Sequence, residues 1–230
     1  MKIVILAAGE GVRMRPLTLS VPKPLLRFGG QASLDHFFEA LPDEITEAII
    51  VVGYLAEQIK TYCGNNFHGR TINYIDGSSK GNAASFINTK HLFASQERFA
   101  VSYGDELITK QEIENCLKSK YSWLCYELNN PKNAGVALVN SAGRILEVIE
   151  KPAIPPSNLA ANGFMVANSD IFSYKPDLHV SGEYYFSSMM NKFCLDHRVQ
   201  AIVGHEDHWQ LTIPADLDRL DKLFTNKNKL

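Results

Sequence analysis

The chain has 230 residues, 45% of them hydrophobic and 21% charged, which suits one elaborated domain with a substantial core better than two standard ones. A formal charge of -2 and a pI near 6.4 give no global attraction to nucleic acid or an anionic membrane, so any anion site must come from a local arrangement of cations. Four widely spaced cysteines without a C-x-x-C pair, and apolar runs all short of the roughly 20 residues that cross a bilayer, argue for reduced thiols in a cytoplasmic protein.

Short β-branched runs ending in Gly or Asp alternate with stretches of helical period, the pattern of a mostly parallel sheet wound on both faces. The clearest pairs are "KIVILAAG", "EAIIVVG" before "YLAEQIKTYC", and "RFAVSYGDEL" before "TKQEIENCLKSK". After Tyr121 the pattern shifts to strands and a turn: "WLCYEL", "AGVALVNSAGRILEVIEKP" with Gly143 at the reversal, and "NGFMVANSDIF". A Pro-rich loop "KPAIPPSN" intervenes, and "IPADLDRLDKLF" closes as an amphipathic helix before a polar tail, "TNKNKL", expected to fray. Met189, Met190, Tyr184, Tyr185 and Phe186 read as core, and the seven histidines form no metal-binding spacing.

The loop after the first strand, "LAAGEGVRMRPLTLSVPKPLL", is the most informative stretch. Glycines at 9 and 11 let backbone amides approach an anion closely. "GEGVRM" lacks the third glycine of the dinucleotide fingerprint, and no Walker loop occurs. Arg13 and Lys23 flank a segment stiffened by Pro16 and Pro22, an arrangement suited to holding two cations over a polyphosphate at low ordering cost.

This loop resembles the L-A-A-G-x-G-T-R-x-x-P-L-T-x-x-x-P-K-P-L signature of the sugar-phosphate nucleotidyltransferases, with Val12 in place of Thr. "VVGYLAEQIKTYCG", "GNAASFINTKHLF", "GDEL", "AGVALVNSAGRILEVIEKP" and "PADL" resemble the later blocks of that family in the same order. The resemblance implies an α/β Rossmann-like three-layer α/β/α sandwich with a mixed, mostly parallel sheet of the GT-A-like kind. It implies one nucleotidyltransferase domain over residues 1–230, with a nucleotide-binding half to about 120 and an acceptor-binding half from about 121.

By resemblance, the backbone of Leu6, Ala7, Ala8, Gly9 and Gly11 holds base, ribose and phosphates, Arg13 meets the β and γ phosphates, and Lys23 stands at the reacting centre. Gly81 and Asn82 begin a helix under the base, although Asn82 and Ala84 depart from the usual Thr and Gly. Asp76 falls where thymidine-using relatives carry a base-reading glutamine. Its carboxylate only accepts, which suits a cytosine amino group or guanine N1 and N2, and a solvated turn residue is the alternative. Asp105, at a strand end, is the implied Mg²⁺ ligand, with a helix N-cap as the alternative reading, and Glu106 beside it is expected to be exposed. Gly135, Glu150 and Lys151 match the acceptor blocks, where Glu binds sugar hydroxyls and Lys the phosphate. Asn162 stands one place from the expected asparagine, whose slot holds Ala161.

Two departures stand out. Gln210 occupies the place of a second metal-binding aspartate, with Glu206 and Asp207 near enough to substitute, and Ser188 replaces an acid found in many relatives. The implied reaction takes a nucleoside monophosphate from CTP, GTP, UTP or dTTP to a sugar 1-phosphate or related phosphorylated small molecule, releases pyrophosphate, uses Mg²⁺ and serves surface polysaccharide assembly. A cytidylyltransferase with a non-sugar acceptor, a non-catalytic nucleotide-binding subunit and a glycosyltransferase are the rival readings. No nucleic acid or membrane partner is expected, and a homo-oligomer stays open.

Overall fold

The computed structural model describes residues 1–205 and 209–227, with the side chains of Asn162, Trp209, Gln210, Asn226 and Lys227 outside that description. The first strand, β1 (Lys2–Ala7), is hydrophobic at five successive positions and buried on both faces, as a parallel strand between two helical layers must be. Three single-turn 3-10 helices follow (Val12–Met14, Leu17–Leu19 and Lys23–Leu25), then a hairpin of β2 (Arg27–Phe28) and β3 (Gln31–Ala32) and the helix α1 (Ser33–Ala40). Next come β4 (Glu47–Val52), α2 (Ala56–Cys63), β5 (Asn66–Phe67), β6 (Arg70–Asp76) and α3 (Asn82–Ile87). The chain continues through β7 (Arg98–Tyr103), β8 (Glu106–Leu107), α4 (Lys110–Leu117) and β9 (Ser122–Glu127). Then β10 (Gly135–Val139) and β11 (Ile145–Glu150) form the Gly143-turned hairpin, followed by β12 (Leu159–Asn168), α5 (Phe186–Asp196), β13 (Gln200–Val203), β14 (Trp209–Gln210) and α6 (Pro214–Lys227).

Ten strands make one sheet with the path β11-β10-β12-β7-β1-β4-β6-β5, and β9 and β13 branch from β12. The centre is parallel: β1 pairs with β4 and β7, and β4 with β6, in register from Lys2↔Glu47 to Val52↔Asp76. Antiparallel β12 joins this centre to the outer strands. Its end half lies along β7 and its first half along β10, and β9 runs beside both. The register breaks between Ala161 and Met165, a bulge around Gly163 that turns the strand from one neighbour to the other.

Alternation along the strands supplies two cores. Val4 and Leu6 face a layer with α3 and α5, whose Phe86, Phe186, Met189, Met190 and Phe193 are fully buried. Ile3, Ile5 and Ala7 face α1, α2 and α4. Each fully buried aliphatic or aromatic side chain contributes roughly 1.5–3 kcal/mol, so the wound sheet needs no cross-link. All four cysteines are free and buried. A third, small cluster packs Met14, Leu26 and Phe28 of the early loop against Leu211 and Leu220, and Asp221 of α6 accepts a hydrogen bond from the Gly29 amide at 2.7 Å.

The three-layer arrangement with a mixed sheet expected from the sequence is the observed one. The last helix runs to Lys227, so three residues of the tail expected to fray are helical. No helix among the described residues is long and apolar enough to cross a membrane.

Candidate active site

All four parallel strands end on one edge of the sheet and run into small residues: Ala8 and Gly9 after β1, Gly53 after β4, Gly77 after β6 and Gly104 after β7. A cavity of about 880 Å³ opens there, at the carboxyl ends where open α/β sheets bind ligands. Leu6, Ala7, Ala8, Gly9, Gly11, Arg13, Lys23, Gly81, Asn82 and Asp105, ten of the expected site residues, line it. A Cβ at Gly9 would meet nothing within 4 Å, so backbone is offered directly to the cavity. Gly11 is packed instead: a Cβ there would stand 3.1 Å from Thr18 Cγ2 and 3.2 Å from Lys23 Cβ, and the Thr18 hydroxyl donates to its carbonyl at 2.8 Å. The loop therefore folds over itself to present Lys23, while Met14 anchors it from below with no exposed surface.

Lys23 Nζ pairs with Asp105 Oδ2, the lysine being 13% and the aspartate 36% exposed. Asp105 caps no helix. Thr109 does that for α4, in a capping box with Glu112, so the alternative reading of Asp105 is set aside by geometry. Glu106 corrects an expectation: it is 4% exposed rather than surface-facing. Its strand β8 is covered by β14, with Gln210 opposite Glu106, and Glu106 Oε2 lies 3.7 Å from where a Cβ of Gly163 would be. The same pairing puts the backbone of Gln210 next to the metal candidate, whereas Glu206 and Asp207 lie outside the described residues.

A second cavity, of about 450 Å³, adjoins the first, and Arg13, Asn82, Tyr103, Asp105 and Tyr185 line both. Gly135 and Glu150, opposite each other across β10 and β11, line the second, with the Ser187 hydroxyl donating to Glu150 Oε2 at 2.6 Å. Lys151, expected at the acceptor phosphate, lines neither cavity; its ammonium stands 4.3 Å from the ring centre and 3.0 Å from the hydroxyl of Tyr185, which lines both. Asn162 lies at the β12 bulge, its side chain outside the description.

Two expected residues stand differently. Asp76 is exposed at the end of β6 and lines neither cavity, and its neighbours Gly77, Ser78 and Ser79 line the first. The Asn82 side chain is committed to the fold: its Oδ1 accepts from the Phe186 amide at 2.6 Å and its Nδ2 reaches Tyr103 Oη at 3.4 Å. Ser188, in the place of an acid, ties the loop before α5, donating to the Tyr185 carbonyl at 2.8 Å and accepting from the Asp177 amide at 3.0 Å.

Tyr103 and Ser187 lie outside the sequence motifs, and Tyr185, expected in the core, is half-buried and lines both cavities; topology supplies all three. Burial, with Glu150, Glu106 and Asp105 nearby, pushes the Tyr103 phenol well above its ordinary pKa, so it stays a neutral hydroxyl between the cavities. Arg13 and Asp105 thus line both of the adjoining cavities, and Lys23, on the same loop as Arg13, is paired to Asp105.

Residues 2–228 match the family described as Nucleotidyl transferase, and the chain belongs to it. It is 32% identical over 237 residues to the UTP--glucose-1-phosphate uridylyltransferase AglF of Haloferax volcanii, covering 96% of each chain. It is 30% identical over 204 residues to the bifunctional protein GlmU of Methanocaldococcus jannaschii, covering 88% of this chain and 49% of that one, so it spans about half of that relative. A UDP-glucose pyrophosphorylase crystallised with UDP-glucose shares the fold at a TM-score of 0.85 and 19% identity, with 98% of both chains covered.

Proposed function

We propose that the chain transfers a nucleoside monophosphate from a nucleoside triphosphate to a sugar 1-phosphate, releasing pyrophosphate, in the cytoplasm and for glycan assembly. The observation that carries this reading is that Arg13 and Asp105 line both adjoining cavities, with Lys23 of the larger one paired to Asp105. A nucleotide fits the larger, with its triphosphate along the Gly9–Arg13 backbone, and the acceptor fits the smaller, with its hydroxyls at Glu150 and its phosphate between Lys151 and Arg13.

The acceptor phosphate is mostly dianionic at neutral pH, its second pKa being about 6, so it attacks the α-phosphorus without a general base. Pyrophosphate leaves from the opposite side as the new P–O bond forms. What the protein must supply is alignment and cationic charge. Lys23, 13% exposed, with its stem packed beside Gly11 and its ammonium paired to Asp105, supplies a cation to the larger cavity. Arg13 neutralises the leaving phosphates, and Tyr103, a neutral hydroxyl, can donate without adding negative charge.

The residues present fit Mg²⁺ delivered with the nucleotide. Asp105 offers hard carboxylate oxygens, and Mg²⁺ characteristically takes one or two carboxylates and completes its shell with phosphate oxygens and water. Among the described residues no three histidine, cysteine or carboxylate side chains cluster to hold a metal alone. When bound, Mg²⁺ would stabilise the charge that develops on the phosphates. The Asp105 carboxylate that would hold the ion is the one paired with Lys23.

The test is pyrophosphate release from CTP, GTP, UTP and dTTP, each with glucose 1-phosphate, N-acetylglucosamine 1-phosphate and phosphocholine. Turnover with a sugar phosphate is expected. Turnover with phosphocholine alone would make the protein a cytidylyltransferase-type enzyme of non-sugar acceptors. Silence throughout, with thermal stabilisation by nucleotide retained, would make it a binding subunit.

A further inference from the structure

Trp123 is 2% exposed, and its indole Nε1 is buried with no hydrogen-bond partner. Few buried donors in folded proteins are left unmade, and those that are mark places where a ligand or water belongs. Trp123 lines the acceptor cavity together with Gly135, Glu150 and Ser187. The sheet register explains the proximity. Glu150 faces Gly135, Gly135 faces Ala161, and Ala161 faces Cys125, which stands two residues along β9 from Trp123 and on the same face. Gly135 leaves that row open, with Glu150 Oε2 only 3.3 Å from where a Cβ would project.

An indole N–H can only donate, and an ionised carboxylate can only accept. A group that satisfies both must itself donate and accept at once. A hydroxyl does so. An ammonium cannot accept from the indole, a carbonyl cannot donate to the carboxylate, and a deoxy carbon leaves both unmade. We propose that Trp123 is a specificity-determining residue of the acceptor site, its Nε1 and the Glu150 carboxylate together selecting one ring hydroxyl of the sugar phosphate. This rests on the nucleotidyltransferase reading above and adds a residue to it.

Trp123→Phe removes the donor and keeps most of the ring volume. With UTP and either glucose 1-phosphate or N-acetylglucosamine 1-phosphate, the variant should lose about threefold to tenfold in kcat/KM, the value of one neutral hydrogen bond. Among the monodeoxy analogues of the accepted sugar, one should lose more than that factor with the wild-type protein, because its bond to the Glu150 carboxylate goes as well, and Trp123→Phe should cost no further loss on that analogue. Equal loss on every analogue, or no loss on any, would mean that the ring only packs and would overturn the proposal.

A second measurement does not depend on the variant folding. The chain has two tryptophans, so the indole resonances of protein labelled with nitrogen-15 tryptophan can be assigned directly. Adding the accepted sugar phosphate should shift the Trp123 indole proton downfield and slow its exchange, and the unreadable deoxy analogue should not. An unmoved resonance in the saturated complex overturns the proposal while leaving the enzyme assignment standing. Wild-type silence with both sugar phosphates would instead bring down the assignment and this inference with it.

Discussion

Gly81→Ala tests the joint between the two cavities. Gly81 precedes α3 with φ 113° and ψ 174°, a region that essentially only glycine enters, and forcing another residue there costs about 1–3 kcal/mol. Space is the second obstacle. An alanine Cβ would stand 2.5 Å from the Tyr184 carbonyl oxygen and 2.8 Å from its nitrogen, both backbone atoms that cannot rotate aside. Relief requires the segment before α5 to retreat. That stretches the bonds from the Ala83 amide to the Tyr184 carbonyl, 3.0 Å, and from the Tyr184 amide to the Lys80 carbonyl, 2.9 Å. With each bond worth about 0.5–1.5 kcal/mol, the loss should total roughly 2–6 kcal/mol. That is a large part of the 5–15 kcal/mol typical of a folded domain. Urea unfolding followed by circular dichroism reads the loss, and KM for both substrates should rise because Tyr185 moves with its neighbour. Gly64→Ala is the control, with φ 56° but no atom within 4 Å of the added carbon. If the two variants lose the same stability, and Gly81→Ala keeps both KM values, the packing argument is wrong.

Lys23→Ala should lower turnover by at least tenfold and shift stability by no more than about 1 kcal/mol, since a partly exposed ion pair contributes little to folding; near-normal pyrophosphate release would remove Lys23 from the chemistry. Asp105→Asn should move the Mg²⁺ titration of activity to much higher concentration, and an unchanged titration would point to another carboxylate. Burial pushes the thiols of Cys63, Cys116 and Cys194 up to about 12 and raises that of Cys125 too. Ellman's reagent at pH 8 should therefore find no fast-reacting thiol in the native protein and all four cysteines after unfolding in urea, and rapid labelling of the native form would contradict their burial. At Asp35, burial works to raise the carboxyl pKa, but hydrogen bonds from Tyr62, His68 and the Ala32 amide outweigh it and hold it below 3.8. A depressed carboxylate stabilises fully above its unfolded value and loses that contribution as pH falls through the folded one. The urea midpoint of Asp35→Asn should thus lie below wild type at neutral pH and converge on it below about pH 4, the unfolded carboxylate range. A constant gap would refute the linkage.

The parts legible in the sequence are those whose signal is local. β1, β4 and β7 are near-continuous apolar runs ended by glycine, and the loop carrying Arg13 and Lys23 is one contiguous motif. The helix α1 escapes such reading because its N-cap is Ala32, with Asp35 reaching back to the Ala32 amide in place of a Ser, Thr or Asp at the cap. The helix α5 hides because its first turn follows two aromatics and a glycine without any capping side chain. Glu106 defied its surroundings because its cover, β14, arrives from a hundred residues downstream. Trp123, Tyr185 and Ser187 reach the acceptor cavity through sheet register and helix packing, which no short motif records.

The seam between the early loop and the last helix has a consequence for how the protein may be cut or joined. Phe224 packs edge-on against Phe28 and at a tilt against His36, with ring centres 5.2 and 4.5 Å apart, and Leu220 lies in one cluster with Met14, which sits between the two arginines of the loop. Removing α6 would strip Leu220 from the cluster that covers Met14, so injury to that helix would surface as slack in the distant arginine loop. A purification handle that displaced α6 could silence the protein without touching a single residue that meets substrate.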